Sequence, residues 1–175
     1  MALSNMAVKL VGAMDDCNSA KVYFMMNNEK GIQEIFAGRL DRLLSSEFSW
    51  LIVLDEEEVG FANLVREKSN YDFLFLDLGI KEKYRGKGIG TEVLRLLTEM
   101  PINNYVLLET KINNISANKI NQKVGCLIDT IGEQNYYLLQ TGRVKEFIDS
   151  NMMRKLGEHL NTSSLKKDLI KGYHN

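Results

Sequence analysis

Proline, histidine and cysteine are scarce in this 175-residue chain, which has one proline, two histidines and two cysteines. The single proline, Pro101, leaves no material for a proline-rich linker. His159 and His174 both lie near the C-terminus, and the spacing of Cys17 and Cys126 fits neither a metal site nor a disulfide. We therefore expect no metal cofactor and a reduced protein interior.

Long apolar runs and an excess of one charge are missing as well. No run approaches the roughly 20 residues that a membrane helix needs, and Asn5, Lys9 and Asp15 interrupt the N-terminal apolar residues, so no signal peptide is expected. Lys and Arg total 22 against 23 Asp and Glu, a balance that disfavours a nucleic-acid-binding protein. These features predict a cytoplasmic protein without a membrane or nucleic-acid partner.

Apolar periodicity predicts an α/β protein with a mixed central sheet of about seven strands flanked by helices. The predicted strands are 7–12, 50–54, 59–65, 71–80, 105–110, 126–131 and 136–139. The predicted helices are 19–27, 31–46, 116–124 and one that follows residue 88 and stops at Pro101. Residues 1–141 are expected to form this domain. Residues 142–175 are expected to form a helical extension that packs on the domain or on the partner of a homodimer.

Three glycines lie within five residues in the segment Arg85-Gly86-Lys87-Gly88-Ile89-Gly90, between a predicted strand and a predicted helix. Glycine lowers helix propensity and costs backbone entropy, so this density predicts a ligand that approaches the backbone closely. The free N–H groups and partial positive charge of a helix N-terminus favour an anion, and Arg85 and Lys87 add positive charge. The segment therefore predicts a phosphate or pyrophosphate site.

Two common phosphate-binding motifs do not match this segment. A Walker A loop needs a lysine before its Ser or Thr, whereas Gly90 precedes Thr91 here. A Rossmann fingerprint needs a third glycine at Thr91 and normally follows the first strand of the fold, whereas this segment follows about the fourth. A nucleotide-phosphate binder of another kind stays open as an alternative.

The segment resembles the signature of the GNAT superfamily of N-acetyltransferases, Gln/Arg-x-x-Gly-x-Gly/Ala, through Arg85, Gly88 and Gly90. The resemblance extends over the element order of residues 7–140. It implies a GNAT-like fold in which the turn holds the pyrophosphate of acetyl-CoA and the preceding strand, with a bulge near Gly79, pairs with the pantetheine arm. The residues that it assigns to this part of the cofactor site are Leu78, Gly79, Ile80, Arg85, Gly86, Lys87, Gly88, Ile89, Gly90 and Thr91.

A second segment, residues 108–126, resembles the later family motif and is closest in spacing to N-terminal-amine acetyltransferases that modify ribosomal proteins. By this resemblance Glu109 is the general base and Asn114 contacts the cofactor. The tyrosine that commonly protonates the leaving thiolate is replaced by Asn121, and asparagine cannot act as a general acid at neutral pH. Asn121 is therefore assigned to the cofactor, and Tyr136 is the predicted alternative acid, with Tyr137 as a second phenol.

The resemblance predicts an enzyme that transfers acetyl from acetyl-CoA to a primary amine by direct attack in a ternary complex. An ammonium group with a pKa near ~10 must lose a proton before it attacks, and Asp77 and Asp72 are weaker candidates than Glu109 for the base. The substitution at Asn121 leaves a second hypothesis, a non-catalytic CoA-binding sensor or interaction module of the same fold. The acceptor, a small-molecule or peptide amine, is expected to lie between the helices of residues 19–46 and the hairpin around residues 135–137.

Overall fold

The computed structural model describes residues 7–66, 73–139 and 141. The predicted helical extension at 142–175 and the candidate base Asp72 lie outside the described residues. The described part contains seven strands in one mixed sheet with the order β1-β2-β3-β4-β5-β7-β6, which confirms the predicted fold class. Strands β4 and β5 are parallel, and the β1–β2, β2–β3, β5–β7 and β6–β7 pairs are antiparallel.

The elements follow the chain in the order that the apolar pattern predicted, with shifted ends. The strands are β1 (Val8–Gly12), β2 (Ser46–Leu54), β3 (Glu57–Arg66), β4 (Phe73–Ile80), β5 (Tyr105–Lys111), β6 (Gly125–Ile131) and β7 (Gln134–Leu139). The helices are α1 (Asp16–Asn28), α2 (Gln33–Phe36), α3 (Leu40–Leu44), α4 (Ile89–Glu99) and α5 (Ile115–Val124), and a 3₁₀ turn spans Glu82–Tyr84.

The predicted single helix over residues 31–46 is wrong. Two short helices, α2 and α3, replace it, and β2 already begins at Ser46. Gly38 lies between them with φ +74°, in the left-handed region that no helical residue adopts. The apolar spacing of this segment continues through Gly38, so periodicity alone did not reveal the break.

The described residues fall into two compact units. The first comprises those of Met1–Arg66 and Leu76–Leu96, and the second those of Glu67–Phe75 and Leu97–Asn175. The predicted domain boundary at residue 141 stays a prediction.

The core of the first unit lies between α1, α2 and the strands β2 and β3. Helix α1 buries Val22, Met25 and Met26, which recur at the three- and four-residue spacing of one helical face. Phe36 of α2 packs edge-on against Phe61 of β3, with 5.4 Å between ring centroids. Burial of these side chains fixes α1 and α2 on the sheet.

The first half of β2 carries a stacked aromatic pair. Phe48 and the half-buried Trp50 stack with 5.7 Å between ring centroids and an interplanar angle of 2°. Strand β2 then turns into β3 through Asp55 and Glu56, which both adopt positive φ. The acidic segment after Leu54 therefore forms the hairpin that the sequence predicted.

The second unit has a separate core on one face of β5 and β7. It comprises Phe73, Phe75, Leu107, Tyr136 and Leu138, with Tyr105, Ile128 and Ile131 packed at its border. Three of these side chains are at most 1% exposed: Phe73, Leu107 and Leu138. This core surrounds Tyr136, one of the predicted site residues.

Candidate active site

Gly79 of β4 has no room for a side chain. A Cβ atom there would lie 2.5 Å from Cε1 of Phe61, and a Cβ atom on Gly60 of β3 would overlap the carbonyl oxygen of Gly79. Lys81, two residues after Gly79, donates its N–H to the carbonyl of Val59 at 2.9 Å. The backbones of β3 and β4 therefore approach closely at Gly79.

The predicted phosphate-binding turn lies between the 3₁₀ turn and α4. Gly86 and Gly88 adopt φ +74° and +82°, a conformation that side chains rarely tolerate. A Cβ atom on Gly86 would meet nothing within 4 Å, so the glycine is required by its backbone conformation and not by packing. Helix α4 begins at Ile89, and the N–H groups of its first turn have no acceptor within the helix. The turn thus has the geometry of an anion site.

Two lysines near this turn lie beside an aromatic ring, and the glutamate in the first turn of α4 is paired with an arginine. The ammonium groups of Lys83 and Lys87 lie 4.9 Å and 5.6 Å from the ring centroid of Tyr84. Glu92, in the first turn of α4, would oppose an anion, but Arg95 hydrogen-bonds its carboxylate at 2.6 Å. This hydrogen bond lowers the pKa of Glu92, and the charge of Arg95 offsets that of the carboxylate.

Arg85, the first residue of the predicted signature, uses its guanidinium on backbone carbonyls. Its Nε donates to the carbonyl of Ile80 at 3.0 Å, and its Nη2 donates to the carbonyl of Gly31 at 2.9 Å. Arg85 is exposed, and among the described residues it forms no ion pair. Its cofactor role stays a prediction, and the contact with Gly31 was not predicted from the sequence.

Glu109 and Tyr136, the predicted base and acid, lie directly opposite each other on β5 and β7. Residues paired in this way in an antiparallel ladder have Cβ atoms about 4.5–5.5 Å apart on one face of the sheet. Glu109 is exposed, whereas Tyr136 is 3% exposed and packs in the core around Leu107. The structure therefore brings together a carboxylate that solvent reaches and a phenol in an apolar setting.

Tyr137 points to the opposite face from Tyr136 and has a structural role. It is fully buried, and its hydroxyl donates to Oδ1 of Asn118 on α5 at 2.6 Å. The same oxygen accepts from Nδ2 of Asn135 at 3.0 Å, while Nδ2 of Asn118 donates to the carbonyls of Lys111 and Asn114 at 2.9 Å and 2.8 Å. Asn118 thus joins α5 to the loop before it and to β7, a role that the sequence did not reveal.

Replacing Asn118 with alanine is expected to lower the free energy of unfolding by about 2 to 3 kcal/mol, because the buried hydroxyl of Tyr137 loses its partner. Urea denaturation followed by circular dichroism measures the change. Asn113→Ala, an exposed asparagine in the preceding loop, is the control and should change stability by less than about 0.5 kcal/mol. Equal stability of the two variants would contradict the role assigned to Asn118.

The two asparagines predicted to contact the cofactor both make contacts within the second unit. Oδ1 of Asn114 accepts from the N–H of Ala117 at 3.3 Å and caps α5. Asn121 is 7% exposed and donates Nδ2 to Oγ1 of Thr110 at 2.6 Å. These bonds explain the two residues structurally, and their cofactor roles stay predictions.

Asp77, a second candidate base on β4, is held in an ion pair. Both of its oxygens accept from Arg42 of α3, at 2.8 Å from Nε and 2.7 Å from Nη2, and its side chain is 10% exposed. Both oxygens of Asp77 are thus engaged by the guanidinium of Arg42, which argues against Asp77 as the base. The assignment of Glu109 stays a prediction.

Among the described residues, no His, Cys, Asp and Glu side chains form a group of three or more that could hold a metal ion. No helix in this part of the chain has the length and apolar character needed to cross a membrane.

Comparison with known proteins gives the same fold and motif. No curated protein matches the sequence. Among solved structures, the spermidine/spermine N-acetyltransferase SpeG from Vibrio cholerae aligns with a TM-score of 0.53 and 12% identity, over 80% of this chain and 98% of SpeG. Arabidopsis thaliana Naa50, in complex with the bisubstrate analogue CoA-Ac-MVNAL, aligns with a TM-score of 0.53 and 22% identity, over 75% of this chain and 97% of Naa50.

A third structure, AAC(6')-Ib in complex with Parmomycin and acetyl-CoA, aligns with a TM-score of 0.55 and 19% identity, over 83% of this chain and 98% of its own. The chain thus shares the fold of these three structures. A family model for the acetyltransferase (GNAT) domain matches residues 45–125, which include the turn and the segment with Glu109 and Asn121. This match confirms the resemblance to GNAT acetyltransferases seen in the sequence, over residues 45–125.

Proposed function

We propose that this protein transfers the acetyl group of acetyl-CoA to a primary amine by direct attack in a ternary complex. The left-handed glycines at 86 and 88, at the start of α4, are the observation that carries the proposal. They present unsatisfied N–H groups and adjacent positive charge to an anion, as the pyrophosphate of acetyl-CoA requires. The acetyl-CoA and CoA complexes among the structural neighbours support this ligand.

The second unit supplies the residues for proton transfer in this proposal. Acetyl-CoA, when bound, provides the activated thioester. Glu109, exposed on β5, accepts a proton from the ammonium group directly or through water, which leaves the amine nucleophilic. Tyr136, opposite Glu109 on β7, donates a proton to the leaving thiolate in place of the tyrosine that Asn121 replaces.

The acceptor class is a small-molecule or peptide amine. Among the structural neighbours, SpeG is a spermidine/spermine N-acetyltransferase and Naa50 binds a bisubstrate analogue of CoA and the peptide MVNAL, so amines of different size are accepted on this fold. The sequence predicts that residues 19–46 and the hairpin around residues 135–137 select the acceptor, and this stays a prediction. A cytoplasmic location, as expected from the sequence, completes the proposal.

Calorimetry with acetyl-CoA, ATP and NAD tests the ligand. We expect binding of acetyl-CoA only, and a preference for ATP or NAD would exclude the proposed donor. Release of free thiol in the presence of polyamines, amino acids, aminoglycosides and short peptides then tests the reaction. Binding of acetyl-CoA without thiol release from any amine would favour the non-catalytic sensor instead.

Replacing Gly86 with alanine is expected to weaken acetyl-CoA binding about tenfold, because the strained backbone turns its N–H groups away from the pyrophosphate. Gly38→Ala is a matched control, since both glycines have φ +74° and neither has an atom within 4 Å of the added Cβ. Both variants should lose about 1 kcal/mol of stability, the cost of a left-handed L-residue. Calorimetry should show weaker binding for Gly86→Ala alone, and equal affinities would contradict the role of the turn.

A further inference from the structure

The junction between α1 and α2 contacts the end of β4 and the glycine turn at three points. The junction segment is defined here as Glu29-Lys30-Gly31. Lys81 lies 3.6 Å from the carboxylate of Glu29, Lys30 lies 3.6 Å from that of Glu82, and Arg85 hydrogen-bonds the carbonyl of Gly31. Three successive residues are thus tied to the segment that leads into the proposed pyrophosphate site.

These three contacts differ in exposure to solvent and therefore in expected strength. The Lys30–Glu82 pair is highly exposed, with side chains 77% and 55% exposed, and pairs of this kind contribute little. The Lys81–Glu29 pair is better sheltered, at 24% and 31%. The hydrogen bond from Arg85 is charge-assisted and short, at 2.9 Å. Arg85 is therefore the strongest of the three connections.

Gly31 lies directly against the guanidinium of Arg85. A Cβ atom on Gly31 would lie 2.8 Å from Nη1 and Nη2 of Arg85, and its φ of +82° disfavours any side chain. The guanidinium thus occupies the space that a side chain would take. Its Nε simultaneously holds the carbonyl of Ile80, so one planar group bridges the end of β4 and the junction segment.

The junction segment is hydrogen-bonded to the start of α2. The carbonyl of Glu29 accepts from the N–H groups of Ile32 and Gln33 at 3.0 Å and 2.9 Å. Ile32 is 1% exposed and lies in the same core as Phe36, which packs on Phe61. Because α2 is packed in the core, a displacement of Gly31 would move Ile32 and α2 with it.

We propose that Arg85 is a positioning residue that couples anion binding at the glycine turn to the order of the α1–α2 junction. When CoA occupies the turn, it restrains the backbone of Arg85, and the bridge to Gly31 then stabilises the junction segment and α2. Helix α2 lies within residues 19–46, which the sequence predicts to line the acceptor cleft. Donor binding therefore prepares the acceptor side of the enzyme. This inference rests on the proposed function, because CoA must bind at the turn.

Hydrogen exchange with CoA as the probe tests this coupling. In the wild-type protein, we expect CoA to slow amide exchange in residues 86–92 and also, by about fivefold or more, in residues 32–36. Arg85→Gln is the decisive variant. Its side-chain nitrogen replaces Nε, which bonds Ile80, but does not reach Gly31 as Nη2 does. At CoA concentrations that saturate both proteins, CoA should still protect residues 86–92 in this variant, and the protection of residues 32–36 should disappear.

Arg66→Gln controls for the loss of a positive charge, because Arg66 lies at the end of β3 and pairs with Glu47. It should transmit protection as the wild-type protein does. Protection confined to residues 86–92 in the wild-type protein, or full transmission in Arg85→Gln, would overturn the coupling while leaving the proposed function intact. Absence of CoA protection at residues 86–92 would overturn both.

Discussion

Replacing Glu109 with glutamine is expected to lower kcat for acetyl transfer by about a hundredfold or more, within the usual range for loss of a general base. The amide of glutamine keeps the size of the side chain but accepts no proton at neutral pH. Glu109 is exposed on β5, so the substitution changes no side chain of the core. Thiol release at saturating acetyl-CoA, with the best amine of the panel, measures the change.

Two further measurements separate a lost base from a damaged fold. The KM for acetyl-CoA should stay within about threefold of wild type, because Glu109 is not part of the pyrophosphate turn. The control Glu99→Gln, at the end of α4, should retain full activity. Full activity of Glu109→Gln with chemistry as the slow step would exclude Glu109 as the base.

Replacing Gly60 with alanine is expected to destabilise the protein by about 3 kcal/mol or more, at the upper end of overpacking costs. The added Cβ would overlap the carbonyl oxygen of Gly79 and lie 3.1 Å from Cα of Ile80. Both are backbone atoms, so no side-chain rotation relieves the collision and β3 must move away from β4. The free energy of unfolding in urea, followed by circular dichroism, measures the loss.

Gly12→Ala provides the matched comparison for this substitution. Gly12 also lies in a strand, β1, but a Cβ atom there would meet nothing within 4 Å. Its alanine variant should stay within about 0.5 kcal/mol of wild type, because only intrinsic backbone preferences change. If both variants unfold at the same urea concentration, the β3–β4 approach is less rigid than the structure indicates.

The sequence predicted those features that depend on local pattern. Strand and helix order follow from apolar spacing, and the glycine turn follows from three glycines and the strand before them. The break at Gly38 was missed because the apolar spacing is continuous through it. Contacts between distant residues were also missed, since spacing carries no information about them. Arg42 and Asp77 are 35 residues apart, and Arg85 and Gly31 are 54 apart.

Asparagine was the hardest residue type to interpret from sequence. A resemblance in spacing assigned Asn114 and Asn121 to the cofactor, and the structure shows a helix cap and a bond to Thr110. Asn118 lies between them and carries the densest set of hydrogen bonds of the three, yet nothing in its neighbours distinguishes it. An amide side chain both donates and accepts, so its role depends on partners that only the folded chain provides.

The stacked pair on β2 gives the protein an optical reporter of one region. Trp50 is the only tryptophan in the chain, and it is half-buried against Phe48 in the first unit. Tryptophan emission, excited at the red edge of its absorption band, therefore follows the environment of β2 and its neighbours β1 and β3. Circular dichroism sums over all strands and helices. Comparing the two signals during denaturation would reveal whether the strands around Trp50 unfold together with the rest of the molecule or separately.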